Sequence, residues 1–103
     1  MSRSSLGSEV EGDLDEIWDL IGIQRQNPAA ANRCIDKLYE AFALLASQPL
    51  LGQLREDLGQ NIRLFVVGWF VVLFRPTDYG IQVAQVVHSA RDIDGLARTK
   101  RLT

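Results

Sequence analysis

The chain is poor in the residues that build metal and redox centres. Its 103 residues include one cysteine, Cys34, and one histidine, His88. An internal disulfide is thereby excluded, and a structural zinc site, which needs a full set of Cys or His ligands, has none. A lone thiol fits a reducing cytoplasm, and neither a metal nor a cofactor is expected. Lysine is scarce: Lys37 and Lys100 both fall outside the strand-forming segments. Long apolar runs are missing as well. The longest, "LFVVGWFVVLF" (64–74), is too short to span a bilayer and carries Gly68 in its middle. The opening "MSRSSLGSEVEG" has no apolar segment of a secretory signal, so neither export nor a membrane anchor is expected. The net charge of −2 argues against a dedicated non-specific nucleic-acid binder, which would be basic.

What is present describes one globular domain. Hydrophobic residues make up 47% and charged residues 23%, enough for a core and too apolar for a disordered chain. Residues 1–103 are read as a single domain, with 1–8 and 96–103 as its loose ends. The charges are unevenly spread. Residues 1–54 hold four bases against eight acids, and residues 55–103 hold seven bases against five acids. The second half, cationic mostly through arginine, is the side expected to meet an anionic partner.

The periodicities place two helices ahead of a sheet. Val10, Leu14, Ile17 and Ile21 form one apolar stripe, and Ser8 with Glu11 has capping-box spacing, so a helix is expected over 8–24. Asn27 and Pro28 have the chemistry of an N-cap and first helical position. They predict a second helix from Pro28 to about Ser47, with Ala31, Cys34, Ile35, Leu38, Phe42 and Leu45 on its apolar face. Its other face, Arg33, Asp36, Lys37 and Glu40, reads as solvated. "NIRLFVV" (61–67) and "WFVVLFR" (69–75), separated by Gly68, read as a hairpin; "PTDYG" is a turn and "IQVAQVVHS" (81–89) a third strand. "LREDL" (54–58) adds a possible short strand before them. The run 69–74 lacks polar alternation, which marks a central strand covered on both sides. The expected fold is α+β, an N-terminal antiparallel helix hairpin packed on a three- to four-stranded antiparallel sheet.

These segments, in this order, resemble one family. "DLDEIWDLI" (13–21), "AAANRCIDKLYEAFALLASQPLLGQLREDL" (29–58) with Pro49, Gly52 and Arg55 in its connection, "NIRLFVVGWFVVLFRP" and "GIQVAQVVHSARDI" are similar to the ParE branch of the ParE/RelE superfamily. The resemblance covers residues 9 to 94. It implies the toxin of a type II toxin–antitoxin module, cytoplasmic, causing growth arrest, and held inactive by a ParD-type antitoxin in a hetero-oligomer. ParE-like toxins bind DNA gyrase; RelE-like relatives on the same fold cut messenger RNA at the ribosome. The family begins with an edge strand. Here that slot is "MSRSSLGS", whose serines favour turns and caps, so the first strand is expected to be short or absent.

Both activities can be weighed against the residues. Metal-free RNA cleavage requires a general base, a general acid and cations for the transition state. The candidates are His88, Arg75, Arg63, Arg55 and Arg91, and no obvious base accompanies them. Strand parity sets Arg63 with Phe65 and Val67, Arg75 with Trp69, Val71 and Leu73, and His88 with Gln82, Ala84 and Val86. Gyrase inhibition asks only for a binding surface, for which Arg63, Arg75, His88 and Arg91 are the candidates. Against both stands a structural reading, with His88 hydrogen-bonded at a strand end and Arg91 paired to Glu56 or Asp57. Trp18 and Trp69 are read as core or rim residues, and Cys34 as packing. The acids of "EVEGDLDEIWD" are read as capping and solvation, and "RTKR" (98–101) as a solvated end. The expected antitoxin surface lies over or directly above Leu14, Trp18, Ile21, Leu38 and Phe42. An inactive, interaction-only homologue remains a third alternative.

Overall fold

The computed structural model describes residues 2–88. The chain runs β1 (Arg3–Leu6), α1 (Val10–Trp18), a π-helical segment (Asp19–Gln24), α2 (Pro28–Ser47), β2 (Gln53–Leu54), β3 (Arg63–Val67), β4 (Phe70–Thr77) and β5 (Gly80–Val87). The strands form one sheet in the order β1-β5-β4-β3-β2. Its neighbours are antiparallel except β1, which lies parallel to β5 with Arg3 opposite Gly80 and Leu6 opposite Val83.

Three expectations about the layout change. The sheet has five strands rather than three or four, and it is mixed. The helices do not open the chain, because a short β1 precedes them. That strand forms despite its serines, because partners close in space hold it. Arg3 N–H donates to the Tyr79 carbonyl at 2.8 Å, Gly7 N–H to the Val83 carbonyl at 2.7 Å, and the Ser5 hydroxyl bonds the Tyr79 hydroxyl at 2.9 Å. The Arg3 guanidinium lies 4.6 Å from the Tyr79 ring centre, and Leu6 packs against the core.

Where the local chemistry is strong, sequence and structure agree. The Asn27 side chain accepts from Ala30 N–H at 3.1 Å, Pro28 takes the first helical position, and α2 ends at Ser47. The first helix departs from its expected form. It starts at Val10 with no side-chain cap, so Ser8 and Glu11 do not close a capping box. After Trp18 the helix widens, and Arg25 N–H reaches back to the Leu20 carbonyl at 3.1 Å. Gly22 sits under the Trp18 ring in this segment; a Cβ there would lie 2.7 Å from ring carbon Cζ3.

The core has two parts, one on each face of the sheet. Under the helices, Val10, Leu14, Ile17, Leu38, Phe42 and Leu45 meet Phe70, Val72, Phe74, Ile81, Val83 and Val86. On the far face, Leu58 and Ile62 of the loop before β3 pack with Val71, Leu73 and Val87. Residues 70–74 are all buried, as a central strand requires. Trp69 does not belong to that run: it occupies a two-residue turn with Gly68 and is 83% exposed.

One irregularity re-aims β5. Leu73 pairs with Gln85 but Phe74 pairs with Val83, leaving Ala84 as an extra residue. Val83 and Val86 therefore both face the helices, while Ala84 packs on the far face. Beyond this bulge Val86 N–H donates to the Asp13 carboxylate at 3.0 Å, tying β5 to α1.

Candidate functional site

The arginines proposed for catalysis or target binding are dispersed. Arg63, on the helix-facing side of β3, donates through Nη1 to the carbonyls of Leu50 at 3.0 Å and Gly52 at 3.3 Å. It thereby pins the connection between α2 and β2. Arg55 makes a two-point contact with Asp57, Nε at 2.9 Å and Nη2 at 2.8 Å, inside the loop that covers the far face. Arg75 alternates with Phe74 and so points away from Arg63; its Nε is buried without a hydrogen-bond partner among the described residues. Arg91 lies outside the described residues, as does its suggested pairing with Glu56 or Asp57.

His88 is exposed and stacks on Phe70, with ring centres 5.3 Å apart and planes 25° from parallel. This places it on the helix-facing side. Strand parity groups it correctly with Val86 but wrongly with Ala84, because the bulge falls between them. It borders a cleft of about 410 Å³ shared with Asp13, Glu16, Asp19, Gln24 and Phe70. Carboxylates, not arginines, are therefore the charged neighbours of His88 in that cleft. Among the described residues no group of His, Cys, Asp and Glu has the make-up of a metal site, and no helix is long and apolar enough to cross a membrane.

The five residues expected at an antitoxin surface divide by depth. Leu38 and Phe42 are core residues at 0% and 1% exposure, and Leu14 is buried at the edge of that core. Trp18 and Ile21 are half-buried and reach the surface. They open onto two different clefts beside the helix pair. One, of about 320 Å³, is lined by Glu11, Leu14, Asp15, Trp18, Ile35 and Tyr39. The other, of about 290 Å³, is lined mostly by apolar groups including Ile21, Cys34, Val67 and Trp69, with Arg33 and Lys37 as its charged residues. Sequence reading did not single out Tyr39 for this surface, assigned Ile35 to the apolar face of α2, and read Trp69 only as a core or rim residue. The signals were Tyr39 four residues after Ile35 on α2, and an aromatic directly after the turn glycine Gly68.

Trp18 is fixed in place. Its indole N–H donates to the Asn32 side-chain oxygen at 2.9 Å, and Gly22 leaves room for the ring behind it. Tyr39 packs edge-on against Phe42, ring centres 5.5 Å apart at 72°. Cys34 sits in the second cleft, where burial pushes its thiol above the ordinary value and Lys37 partly opposes the shift. A raised native value means less thiolate than in the unfolded chain. At neutral pH, iodoacetamide should therefore modify native Cys34 more slowly than the same thiol in urea. The same sign makes folding stability fall as pH rises above the ordinary thiol range. Equal labelling rates in the two states would contradict the burial.

Comparison with known proteins agrees with this architecture. One solved structure, described as a chromosomal ParDE TA system from P. aeruginosa, shares the fold with a TM-score of 0.71. The match covers 86% of this chain and 97% of that one at 20% identity, a level that speaks for fold alone. No curated protein sequence matches the chain. The family model for the ParE toxin of the type II toxin-antitoxin system parDE matches residues 6–93. That span takes in both helices, β2 to β5 and the last residue of β1, so the chain belongs to the ParE toxin family.

Proposed function

We propose that this ParE-family toxin acts by binding DNA gyrase, without covalent chemistry of its own, and that a ParD-like antitoxin neutralises it in a hetero-oligomer. The observation that carries the reading is the family match across residues 6–93. The arrangement of the cations supports it. Arg63 and Arg55 are engaged in holding loops, and Arg75 points to the opposite face of the sheet from Arg63 and His88. A ribonuclease would need base, acid and cations around one phosphate. A binding inhibitor needs surface, and the helix pair and the β3–β4 turn present two clefts with aromatic residues at their rims. In this reading the antitoxin lies over Trp18 and Ile21, which reach the surface, and the buried Leu14, Leu38 and Phe42 support that surface from beneath.

The test is DNA supercoiling by purified gyrase in the presence of the folded toxin. Inhibition at micromolar toxin is expected, with activity restored by purified antitoxin. Normal supercoiling by gyrase in the presence of excess folded toxin would overturn the gyrase reading. Messenger RNA from arrested cells should stay intact; cleaved message with normal plasmid topology would move the activity to the ribosome.

A further inference from the structure

We propose that the cleft between α1 and α2 lined by Trp18 and Tyr39 is an arginine-binding site that seats a guanidinium carried by the antitoxin. The proposal rests on the antitoxin reading above and names the chemistry of that contact.

The cleft is built from helical spacing. Glu11, Leu14, Asp15 and Trp18 recur on one face of α1 at intervals of three, one and three, and Ile35 and Tyr39 are one turn apart on α2. Leu14, at 6% exposure, gives it an apolar floor. Glu11 and Asp15 are exposed and have no ion-pair partner among the described residues. Every charged residue from Glu9 to Asp19 is an acid, so α1 itself contributes only negative charge to the cleft. The nearest bases of α2, Arg33 and Lys37, line the other cleft and do not line this one.

Two aromatic rings beside two exposed carboxylates match a planar cation. A guanidinium stacks on an aromatic face and donates through paired N–H groups to a carboxylate, which a compact ammonium does less well. Both rings are held before any ligand arrives. The Asn32 bond and the space over Gly22 fix Trp18, and the edge contact with Phe42 steadies Tyr39. Pre-organised aromatic walls lose little freedom on binding, the property that makes such residues effective anchors. The arginine stem would cover Leu14 and Ile35 while its head meets Asp15 and Glu11.

The test uses N-acetyl-arginine methylamide as the probe and the Trp18 indole N–H as the reporter in heteronuclear NMR. Trp69→Phe leaves Trp18 as the single tryptophan and assigns the signal. A saturable shift is expected, with affinity weaker by roughly fivefold or more in Glu11→Gln/Asp15→Asn. N-acetyl-glutamine methylamide should give no saturable shift. Both changes in the double variant are at exposed positions, and its amide spectrum checks that it is folded. An unmoved Trp18 signal, or equal affinity in the neutralised variant, would overturn the site. A toxin–antitoxin complex should no longer respond to the probe. If the two proteins associate and the probe still binds, the antitoxin does not occupy the cleft and the proposal fails. If they do not associate, the antitoxin reading fails, and the titration of the toxin alone decides whether the cleft binds guanidinium.

Discussion

Alanine at Phe42 is expected to remove about 3–5 kcal/mol of folding stability, the cost of emptying an aromatic site in a packed core. The ring is 1% exposed and lies in the cluster where α1, α2 and the sheet converge. The other members of that cluster come from separate elements, Val10 and Ile17 from α1, Leu38 and Leu45 from α2, and Phe70, Val72 and Phe74 from β4. Elements anchored on both sides of a cavity collapse into it only partly, so transfer and cavity costs both apply. A domain of this size has about 5–15 kcal/mol in total, so the variant should be near its threshold. Urea unfolding checks this: the midpoint should fall while the slope stays constant. A loss below about 1 kcal/mol, at the level of an ordinary point mutant, would show that Phe42 is not the centre of this core. The same variant removes the edge contact that steadies Tyr39, so the Trp18–Tyr39 cleft should loosen with it.

A second large effect is expected from Gly80→Ala, at a residue that lines none of the clefts described above. Gly80 has φ +147 and pairs with Arg3. A Cβ there would lie 2.9 Å from the Arg3 nitrogen and closer still to the Arg3 carbonyl oxygen. These are backbone atoms of a paired strand and have no rotamer with which to move aside. The unfavourable backbone conformation alone costs about 1–3 kcal/mol, and β1 must also shift away from β5. Hydrogen exchange separates this from general destabilisation. The amides of Arg3 and Gly7, which bond the Tyr79 and Val83 carbonyls, should lose protection, while amides in the middle of α2 keep theirs. Uniform protection in the variant would mean that β1 does not depend on the absent side chain.

The parts of the fold that could be read from the sequence are those governed by short-range chemistry. Asn27 and Pro28 announce the start of α2, the stripe from Val10 to Ile21 gives its partner face, and the unbroken apolar run marks the central strand. What escaped depends on residues far apart. The serines of β1 look like turn formers until Tyr79 supplies a partner for Ser5. Helical and π-helical segments carry much the same apolar stripe, so the widening after Trp18 shows only in the pairing of Trp18 with Gly22. Period-two alternation cannot foresee the extra residue at Ala84, and the parity of His88 failed there.

The candidate site divides in the same way. Leu14 and Ile21 were legible as members of one stripe of α1 and its continuation, with Trp18 beside it. Tyr39 was not, because it lies off the apolar face of α2 and gains its meaning only from the helix beside it. The dispersal of Arg63, Arg75 and Arg55 was equally invisible, since the carbonyls and carboxylate that engage two of them belong to loops.

The parallel pairing of β1 with β5 also governs when the molecule can be finished. Arg3 and Gly80 are separated by 77 positions, so β1 waits for β5 to be made before it can pair. Contacts this distant in sequence close late, after nearer ones have repaid part of the chain's lost freedom. During synthesis the edge of β5 and its partner strand come together only when most of the polypeptide has been made. The edge of β5 therefore becomes available to β1 only once Gly80 to Val83 have been made.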